Sequence, residues 1–260
     1  MRRRSPSSKR AEDSRAKLKS APNEDFNATQ MVGDRFAASL GDDRKKAIPE
    51  LEVSRETIER LGVYVDLLLR WQSALNLVAP STLPSLWTRH ILDSAQIASL
   101  LARHTSIADV GSGGGFPGLV LAILAAQDAS QARFHLIESD QRKASFLREA
   151  ARVTGAPARV HGRRAEEVLP ELAGEVTAVT ARALAPLPRL LDLAEPLLTT
   201  GAEGFFPKGE TLSSEVREAS ELFDFESRTL PSKTDEKGRI LVLWNLRRQK
   251  RPPAILGNRK

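Results

Sequence analysis

The sequence predicts an α/β fold in which an N-terminal helical cap precedes a doubly wound, mostly parallel sheet with an antiparallel last strand. From about residue 105 of the 260-residue chain, short apolar runs alternate with single amphipathic segments, which is typical of right-handed crossovers between parallel strands. The last two runs have no helix between them, which predicts an antiparallel hairpin. A glycine-rich turn follows the first run, where open α/β sheets bind ligands.

The predicted cap covers residues 48–104. Its first helix begins near Ser54, because the apolar residues that follow recur at helical spacing: Ile58, Leu61, Val65, Leu68 and Leu69. A second helical stretch is predicted from about Leu83 to Leu101. The cap is therefore expected to be entirely helical.

The predicted core domain covers residues 105–247 and contains seven strands. Their predicted bounds are 106–110, 133–138, 158–161, 176–180, 204–206, 223–230 and 239–245. The helices between them are predicted at 118–127, 141–154, 166–172, 187–198 and 212–221.

Both ends of the chain are basic. Residues 1–20 contain eight Lys or Arg and two acids, and residues 247–260 contain six Lys or Arg and no acid, although the whole chain has a net charge of only +6. We expect residues 1–47 to be a disordered or loosely attached basic extension, with Met31 as an alternative start, and residues 248–260 to be a basic tail. These ends are either solvated tails or salt-sensitive contacts with nucleic acid.

The composition excludes several classes of protein. The chain contains no cysteine, which removes disulfides, thiolate metal sites and cysteine nucleophiles. No apolar run approaches the roughly 18 residues of a membrane span, and no signal peptide is recognisable. We therefore expect a cytoplasmic protein that does not contact the membrane.

The turn at residues 109–119, "DVGSGGGFPGL", fits two cofactor templates. Gly113, Gly115 and Gly118, with Glu138 further on, match the G-x-G-x-x-G pattern of a dinucleotide site, which keeps an NAD-dependent oxidoreductase as the alternative function. Asp109, with Gly111, Gly113 and Gly115, matches the loop that binds S-adenosyl-L-methionine in Rossmann-like methyltransferases. The glycines alone do not separate these two readings.

Motifs spread along the chain carry a more specific resemblance: "LNLVA" at 75–79, "RHILDS" at 89–94, "RAEEV" at 164–168, "ARALAPL" at 181–187, "PKG" at 207–209 and "GRILVLWN" at 238–245, besides the glycine turn. Over about residues 55–247 the chain resembles the bacterial family of small-subunit ribosomal RNA guanine-N7 methyltransferases. The resemblance implies a Rossmann-like class I methyltransferase with a seven-stranded sheet, which uses S-adenosyl-L-methionine to methylate N7 of a guanine in the 530 loop of 16S rRNA.

The resemblance also assigns cofactor-binding roles. Gly111, Gly113, Gly115 and Phe116 would form the cofactor loop, and Glu138 would accept hydrogen bonds from the ribose hydroxyls. Ala165 and Glu166 would read the adenine edge. Arg182 would contact substrate or cofactor as a positioning residue. Without the resemblance, Glu166 would be interpreted as an acid that the helix dipole favours in a first turn, and Arg182 would be interpreted as a surface charge.

No residue is required as a general base, because N7 of neutral guanine already presents a lone pair. Candidate RNA contacts are Arg164, Lys208 and Arg239, together with Arg163 and Arg182. Arg142, Lys143 and Arg148 are interpreted as solvent-facing. The four histidines lack metal-site spacing and are interpreted as structural, with His90 as the strongest exception, and Asp93 is expected to brace the junction between cap and core. The expected partner is 16S rRNA in the small ribosomal subunit or an assembly intermediate, bound by a monomer.

Overall fold

The computed structural model of the protein describes residues 24–127 and 132–249, with side chains from residue 37 onward. Two long helices begin the fold, α1 (Glu24–Leu51) and α2 (Arg55–Leu75). Ser54 caps α2 by accepting a hydrogen bond from the amide of Thr57, and Asn76 ends it in the left-handed conformation at φ 52°. Residues 1–23 and 250–260, which include most of both basic ends, lie outside the described residues.

Helix α1 differs from the loose structure expected up to residue 47. Ala47 is buried in the core cluster, and the Asp43 carboxylate accepts hydrogen bonds from the amides of Trp87 and Thr88 at 2.7 and 3.2 Å. Tertiary contacts therefore hold the last part of α1 against the cap, which a search for local periodicity does not detect. The boundary expected at residue 47 falls inside this helix.

The second half of the cap is less regular than the single helix predicted from Leu83 to Leu101. It consists of a 3-10 turn (Pro80–Ser85), a π-helical turn (Trp87–Leu92), a short helix α3 (Asp93–Ala95) and a second 3-10 turn (Ala98–Leu101). Pro84 lacks an amide hydrogen, and the Trp87 and Thr88 amides are bound to Asp43. These groups cannot bond within an ordinary α-helix, which explains the irregular path.

The core is a seven-stranded sheet, as predicted, with the order β3-β2-β1-β4-β5-β7-β6. The strands are β1 (Ser106–Val110), β2 (Arg133–Ile137), β3 (Ala158–His161), β4 (Ala178–Thr180), β5 (Glu203–Lys208), β6 (Phe223–Pro231) and β7 (Arg239–Arg248). All pairs are parallel except those of β7, which runs antiparallel to both β5 and β6. The order in which strands are added to the sheet reverses at β1. From β1 the chain adds β2 and β3 on one side, and it then returns to add β4 and β5 on the other side.

The helices that connect the strands match the predicted segments closely. They are α4 (Gly118–Ala125), α5 (Gln141–Thr154), α6 (Ala165–Val168) continued by a 3-10 turn (Leu169–Leu172), α7 (Leu187–Leu198) and α8 (Leu212–Ala219). One apolar cluster joins the cap, α4 and α5 to one face of the sheet, and a second joins α7 and α8 to the other. The cap is thus packed on the core beside the carboxyl end of β1. No helix in the described part of the chain is long and apolar enough to cross a membrane.

Candidate active site

A cleft of about 1080 Å³ opens at the carboxyl ends of β1, β2 and β4, with the cap forming one wall. Because the order in which strands are added reverses at β1, this is the crevice where open α/β sheets bind ligands. The cleft brings together nearly all the predicted site residues: Gly111, Gly113, Phe116, Glu138, Arg164, Ala165, Glu166, Arg182, Lys208 and Arg239. Gly115 and Arg163 do not line it.

The turn after β1 has a backbone that only glycine adopts easily. Gly111, Gly113 and Gly115 have φ angles of 72°, 53° and 97°, in the left-handed region. A Cβ on Gly113 would meet nothing closer than the Gly111 carbonyl oxygen at 3.8 Å, whereas one on Gly115 would lie 2.9 Å from the Leu119 side chain. Gly113 therefore leaves open space for a ligand, and Gly115 permits close packing inside the protein.

Asp109 anchors this turn from the end of β1. Its buried carboxylate accepts hydrogen bonds from the Thr180 hydroxyl at 2.9 Å and the Gly118 amide at 3.2 Å. Burial raises the pKa of Asp109 to about 6, although hydrogen bonds to its carboxylate oppose the shift. The acid of the sequence motif thus ties β1 to β4 and to the start of α4.

The cap supports the turn from the other side. The Tyr64 hydroxyl of α2 donates a hydrogen bond to the Gly114 carbonyl, and the Tyr64 ring packs on Phe116 with centroids 5.7 Å apart. Phe116 also contacts the His90 ring, at 4.9 Å, and lies under the guanidinium of Arg182 at 5.0 Å. The Phe116 ring therefore packs between the glycine turn and the cap.

Glu138, at the end of β2, faces the same turn. One carboxylate oxygen accepts the Gly113 amide at 2.9 Å, and the other accepts the Asp140 amide at 2.8 Å. Because each carboxylate oxygen has two lone pairs, acceptor capacity remains on Glu138 for a ligand hydroxyl. Its carboxylate is held in place where a ribose of a bound nucleoside is expected.

Ala165 and Glu166 open α6 immediately after β3. Arg164 is extended, with ψ 144°, so the helix starts at Ala165 on the edge of the cleft. The exposed Glu166 carboxylate lies 3.4 Å from the guanidinium of Arg189. Their assignment to the adenine edge stays a prediction.

Arg182 follows β4 and reaches across the cleft to the cap. Its guanidinium donates hydrogen bonds to the Arg89 carbonyl at 3.0 Å, the Asp93 carboxylate at 3.2 Å and His90 Nδ1 at 2.6 Å. Asp93 also accepts hydrogen bonds from Thr234 at 2.6 Å and from Gln96 at 2.8 Å. The expected bracing role of Asp93 is confirmed, since it joins the cap to the core strand end and to the turn between β6 and β7.

His90 is neutral in this network. Burial, with the positive charges of Arg182 and Arg89, lowers the pKa of His90 to about 3. An arginine can only donate, so His90 Nδ1 accepts, and Nε2 donates to the Thr82 hydroxyl at 2.9 Å. Neither ring nitrogen has a free lone pair.

Besides Arg182, three of the predicted RNA contacts are engaged within the protein. Lys208 is mostly buried and donates to the Glu215 carboxylate at 2.8 Å and to the Ala185 carbonyl at 3.0 Å. Arg239 donates to the carbonyls of Glu236 and Gly238 at 2.8 and 2.7 Å. Arg163, which does not line the cleft, pairs with two glutamates of its own segment. These contacts brace the loops around the cleft.

Other cations of the cleft have no such partner. In residues 37–127 and 132–249, no ion pair or hydrogen bond of the structure involves the side chains of Arg89, Lys143 or Arg164, all of which line the cleft. Lys143, whose helical position predicts a solvent-facing side chain, lines the cleft, and Arg89 is a cleft cation outside the predicted set of contacts. A helical position alone does not show which neighbouring loops a side chain faces, so neither Arg89 nor Lys143 could be assigned to the cleft from the sequence.

The residues of the cleft fit an adenosine-bearing cofactor. The space over Gly113, the Glu138 carboxylate and the start of α6 follow one another along the ends of β1, β2 and β3, which matches an extended ligand with a ribose near its middle. The described residues contain no group of three or more His, Cys, Asp or Glu side chains that could hold a metal ion.

Comparison with known proteins identifies a matching family. A family model described as rRNA small subunit methyltransferase G matches residues 57–240. A protein named ribosomal RNA small subunit methyltransferase G from Nitrobacter hamburgensis is 47% identical over 212 residues, which cover 82% of this chain and 81% of the relative. The protein of the same name from Methylobacterium nodulans is 47% identical over 204 residues, covering 78% of this chain and 96% of the relative.

Solved structures with similar folds are more distant. An O-methyltransferase from Bacillus cereus, in complex with SAH, aligns with a TM-score of 0.48 at 14% identity, covering 70% of this chain and 90% of that one. The O-methyltransferase TomG from Streptomyces achromogenes, in complex with SAM, aligns with a TM-score of 0.46 at 19% identity, covering 68% and 89%.

Proposed function

Since the chain belongs to the rRNA small subunit methyltransferase G family, and is thus an rRNA methyltransferase that uses S-adenosyl-L-methionine, we propose that it methylates N7 of a guanine in the 530 loop of 16S rRNA. The observation that supports this most directly is the cleft that joins the glycine turn to Arg182, where the neighbouring imidazole of His90 has both ring nitrogens engaged. The family favours this donor over the nicotinamide dinucleotide that the glycine pattern also allowed.

The chain's own residues hold the donor. When bound, S-adenosyl-L-methionine would supply a methyl group on a sulfonium sulfur: the lone pair of guanine N7 bonds to the methyl carbon as the carbon–sulfur bond breaks, and the bonding electrons leave with sulfur in S-adenosylhomocysteine. No proton has to be lost from the acceptor. Gly111 and Gly113 allow close approach of the backbone, and Phe116 closes the cap side. Glu138 accepts from the ribose, and Ala165 and Glu166 face the adenine.

The reaction at N7 matches the chemistry of the cleft. A methyl acceptor that must first lose a proton needs a base, but His90 is neutral and both its ring nitrogens are engaged. Asp109 is buried beneath the turn and bonded to Thr180 and Gly118. The enzyme therefore works by holding nucleophile and methyl group in line, a contribution that reaches several kcal/mol.

The RNA is held by charge around the cleft. The unpaired side chains of Arg89, Lys143 and Arg164 are suited to bind phosphates, and Arg182 is positioned beside the reacting groups. Phosphate contacts orient RNA without reading its sequence, so recognition depends on the shape of the 530 loop. We propose that a monomer in the cytoplasm recognises this loop in the small subunit or an assembly intermediate.

The test is methyl transfer in vitro. Purified protein, labelled S-adenosyl-L-methionine and small subunits that lack the modification are incubated, and the 16S rRNA is digested and analysed by mass spectrometry. One 7-methylguanine that maps to the 530 loop by primer extension is expected on the particle, and less on naked RNA. Gly113→Asp protein is the matched control. Unmodified rRNA, or a methyl group at another atom, refutes the proposal, and tighter calorimetric binding of NADH than of S-adenosylhomocysteine favours the oxidoreductase.

A further inference from the structure

The turn between β6 and β7, residues 232–238, is compact and lies against the cap. Its own hydrogen bonds close it: the Ser232 amide donates to the Gly238 carbonyl at 3.1 Å, and the Gly238 amide donates to the Asp235 carbonyl at 2.9 Å. A Cβ on Gly238 would lie 2.9 Å from the Cβ of Ser232, so a larger residue does not fit there. The turn can therefore be held in one place by a few contacts with the cap.

Gln96, directly after α3, makes the contact from the cap. Its Oε1 accepts a hydrogen bond from the Lys233 amide at 2.8 Å, although the two residues are 137 positions apart in the chain. Its Nε2 lies within hydrogen-bond distance of the Ser232 hydroxyl at 3.2 Å, the Asp93 carbonyl at 3.0 Å and the Asp93 carboxylate at 2.8 Å. One side-chain amide thus joins the β6–β7 turn to Asp93.

The same amide fixes the orientation of the Asp93 carboxylate. Oδ1 of Asp93 accepts from Gln96 and from the Thr234 hydroxyl at 2.6 Å, whereas Oδ2 accepts from Arg182 at 3.2 Å. Because Oδ1 is held by two donors, the carboxylate cannot rotate without breaking both bonds, and Oδ2 stays directed at Arg182. The hydrogen bonds therefore run without a break from the β6–β7 turn through Gln96 and Asp93 to Arg182.

We propose that Gln96 is a positioning residue for methyl transfer, which acts through Asp93 on Arg182. This inference rests on the proposed function, in which Arg182 lies beside the reacting groups. Where a side chain holds a reacting group, the outer partner that orients it also affects the rate, as the partners of metal-binding histidines do. The reason is that displacements of about 1 Å at the reacting groups are costly.

The experiment compares Gln96→Met with the control Gln249→Met. Methionine has a similar length and volume but neither donates nor accepts as an amide does. The Gln249 amide also bridges two groups, the Ser220 carbonyl and the Asp224 carboxylate, both at 2.9 Å, but it lies at the end of β7 opposite the cleft. Single-turnover methyl transfer to unmodified small subunits gives the rate constant and the apparent affinity for the subunit. Calorimetry gives the affinity for S-adenosylhomocysteine, and thermal melting confirms that each variant is folded.

Gln96→Met is expected to lower the rate constant of methyl transfer about tenfold, the lower end for loss of an orienting partner, because Asp93 keeps its bond from Thr234. The affinities for S-adenosylhomocysteine and for the subunit should stay within about twofold of wild type, since the lost contacts lie within the protein. Gln249→Met should retain the wild-type rate. Equal rates for the two variants, or a loss confined to subunit affinity, overturn the inference.

A double variant tests whether Gln96 acts through Arg182. In Arg182→Ala protein the last step of the hydrogen-bond path is already broken, so adding Gln96→Met should lower the rate by less than about twofold. A further tenfold loss in that background overturns the inference, because Gln96 then acts independently of Arg182. Full activity of Arg182→Ala alone also overturns it, since no arginine then needs to be positioned.

Failure of the proposed function gives a different result. It is read from the product that wild-type enzyme forms, whereas the role of Gln96 is judged from the ratios of variant to wild-type rates. A wild-type product methylated at an atom other than N7 refutes the proposed position of transfer, and the same ratios still decide whether Gln96 positions Arg182.

Discussion

Replacing Arg182 by alanine removes the side chain that joins the loop after β4 to the cap. Three hydrogen-bond acceptors lose their donor, and Asp93, which is only 17% exposed, loses its ion pair. Breaking a buried pair by removing one partner costs about 3 kcal/mol, and Asp93 retains its bonds from Thr234 and Gln96, which keeps the cost at this lower end. A domain stable by about 10 kcal/mol stays folded after such a loss.

Methyl transfer by Arg182→Ala should fall much further than folding accounts for. With about 7 kcal/mol of stability left, roughly one molecule in 10⁵ is unfolded, so unfolding does not lower turnover measurably. A displacement of reacting groups by 1 Å costs about 100-fold in rate, and Arg182 is packed on Phe116 beside the glycine turn. We therefore expect at least a 100-fold loss of kcat/KM per folded molecule.

The assay pairs urea denaturation with methyl transfer to unmodified small subunits. Arg182→Lys is the matched variant: it keeps a charge near Asp93 but cannot bond to the Arg89 carbonyl and His90 together, so an intermediate rate is expected. Turnover by Arg182→Ala within threefold of wild type, in protein that melts cooperatively, would show that the assigned positioning role is wrong.

Further predictions concern the glycine turn, its anchor and the RNA contacts. Gly113→Asp should reduce the affinity for S-adenosylhomocysteine, measured by calorimetry, at least 100-fold, because the new carboxylate would enter the cleft beside Glu138. The melting temperature should shift by only a few degrees. Unchanged affinity would contradict the placement of the donor. Asp109 has its pKa raised from 3.8 to about 6, so it stabilises the fold below about pH 4 and loses about 3 kcal/mol of that contribution as pH rises through 6. Urea denaturation of Asp109→Asn should therefore show a free energy of unfolding that rises relative to wild type across this interval, and a constant difference would refute the shift. Lys143→Gln with Arg164→Gln should lower the salt slope of RNA binding by about 0.7 for each contact removed, whereas Arg152→Gln, whose native side chain is paired with Glu149, should leave it unchanged.

Much of the fold could be predicted because its signals are local. Short apolar runs alternating with amphipathic helices gave the strands of the sheet within a few residues, and the missing helix before β7 indicated its antiparallel direction. The cap was less predictable. The Asp43 carboxylate binds amides 44 and 45 residues away, which both orders α1 and prevents a regular helix at Trp87, and apolar periodicity contains no information on such a contact.

The same distinction holds for the candidate site. The glycine turn could be located because left-handed backbone requires glycine, and Glu138 because it ends the next strand. The partners of the lysine and arginine side chains could not be predicted from the sequence. Lys208 is paired with Glu215, and Lys143 lines the cleft. Neither outcome could be predicted, because both depend on side-chain directions at loops that converge only after folding.

The contact between cap and glycine turn also offers a spectroscopic opportunity. Tyr64 is the chain's single tyrosine, and its hydroxyl is bonded to the Gly114 carbonyl. Burial raises the pKa of Tyr64 well above its ordinary value, so the phenol stays protonated through neutral and mildly alkaline solution. Biosynthetic incorporation of 3-fluorotyrosine would thus place one fluorine nucleus against the turn, and a lone ¹⁹F resonance could follow cofactor loading in the intact enzyme without background from any second site.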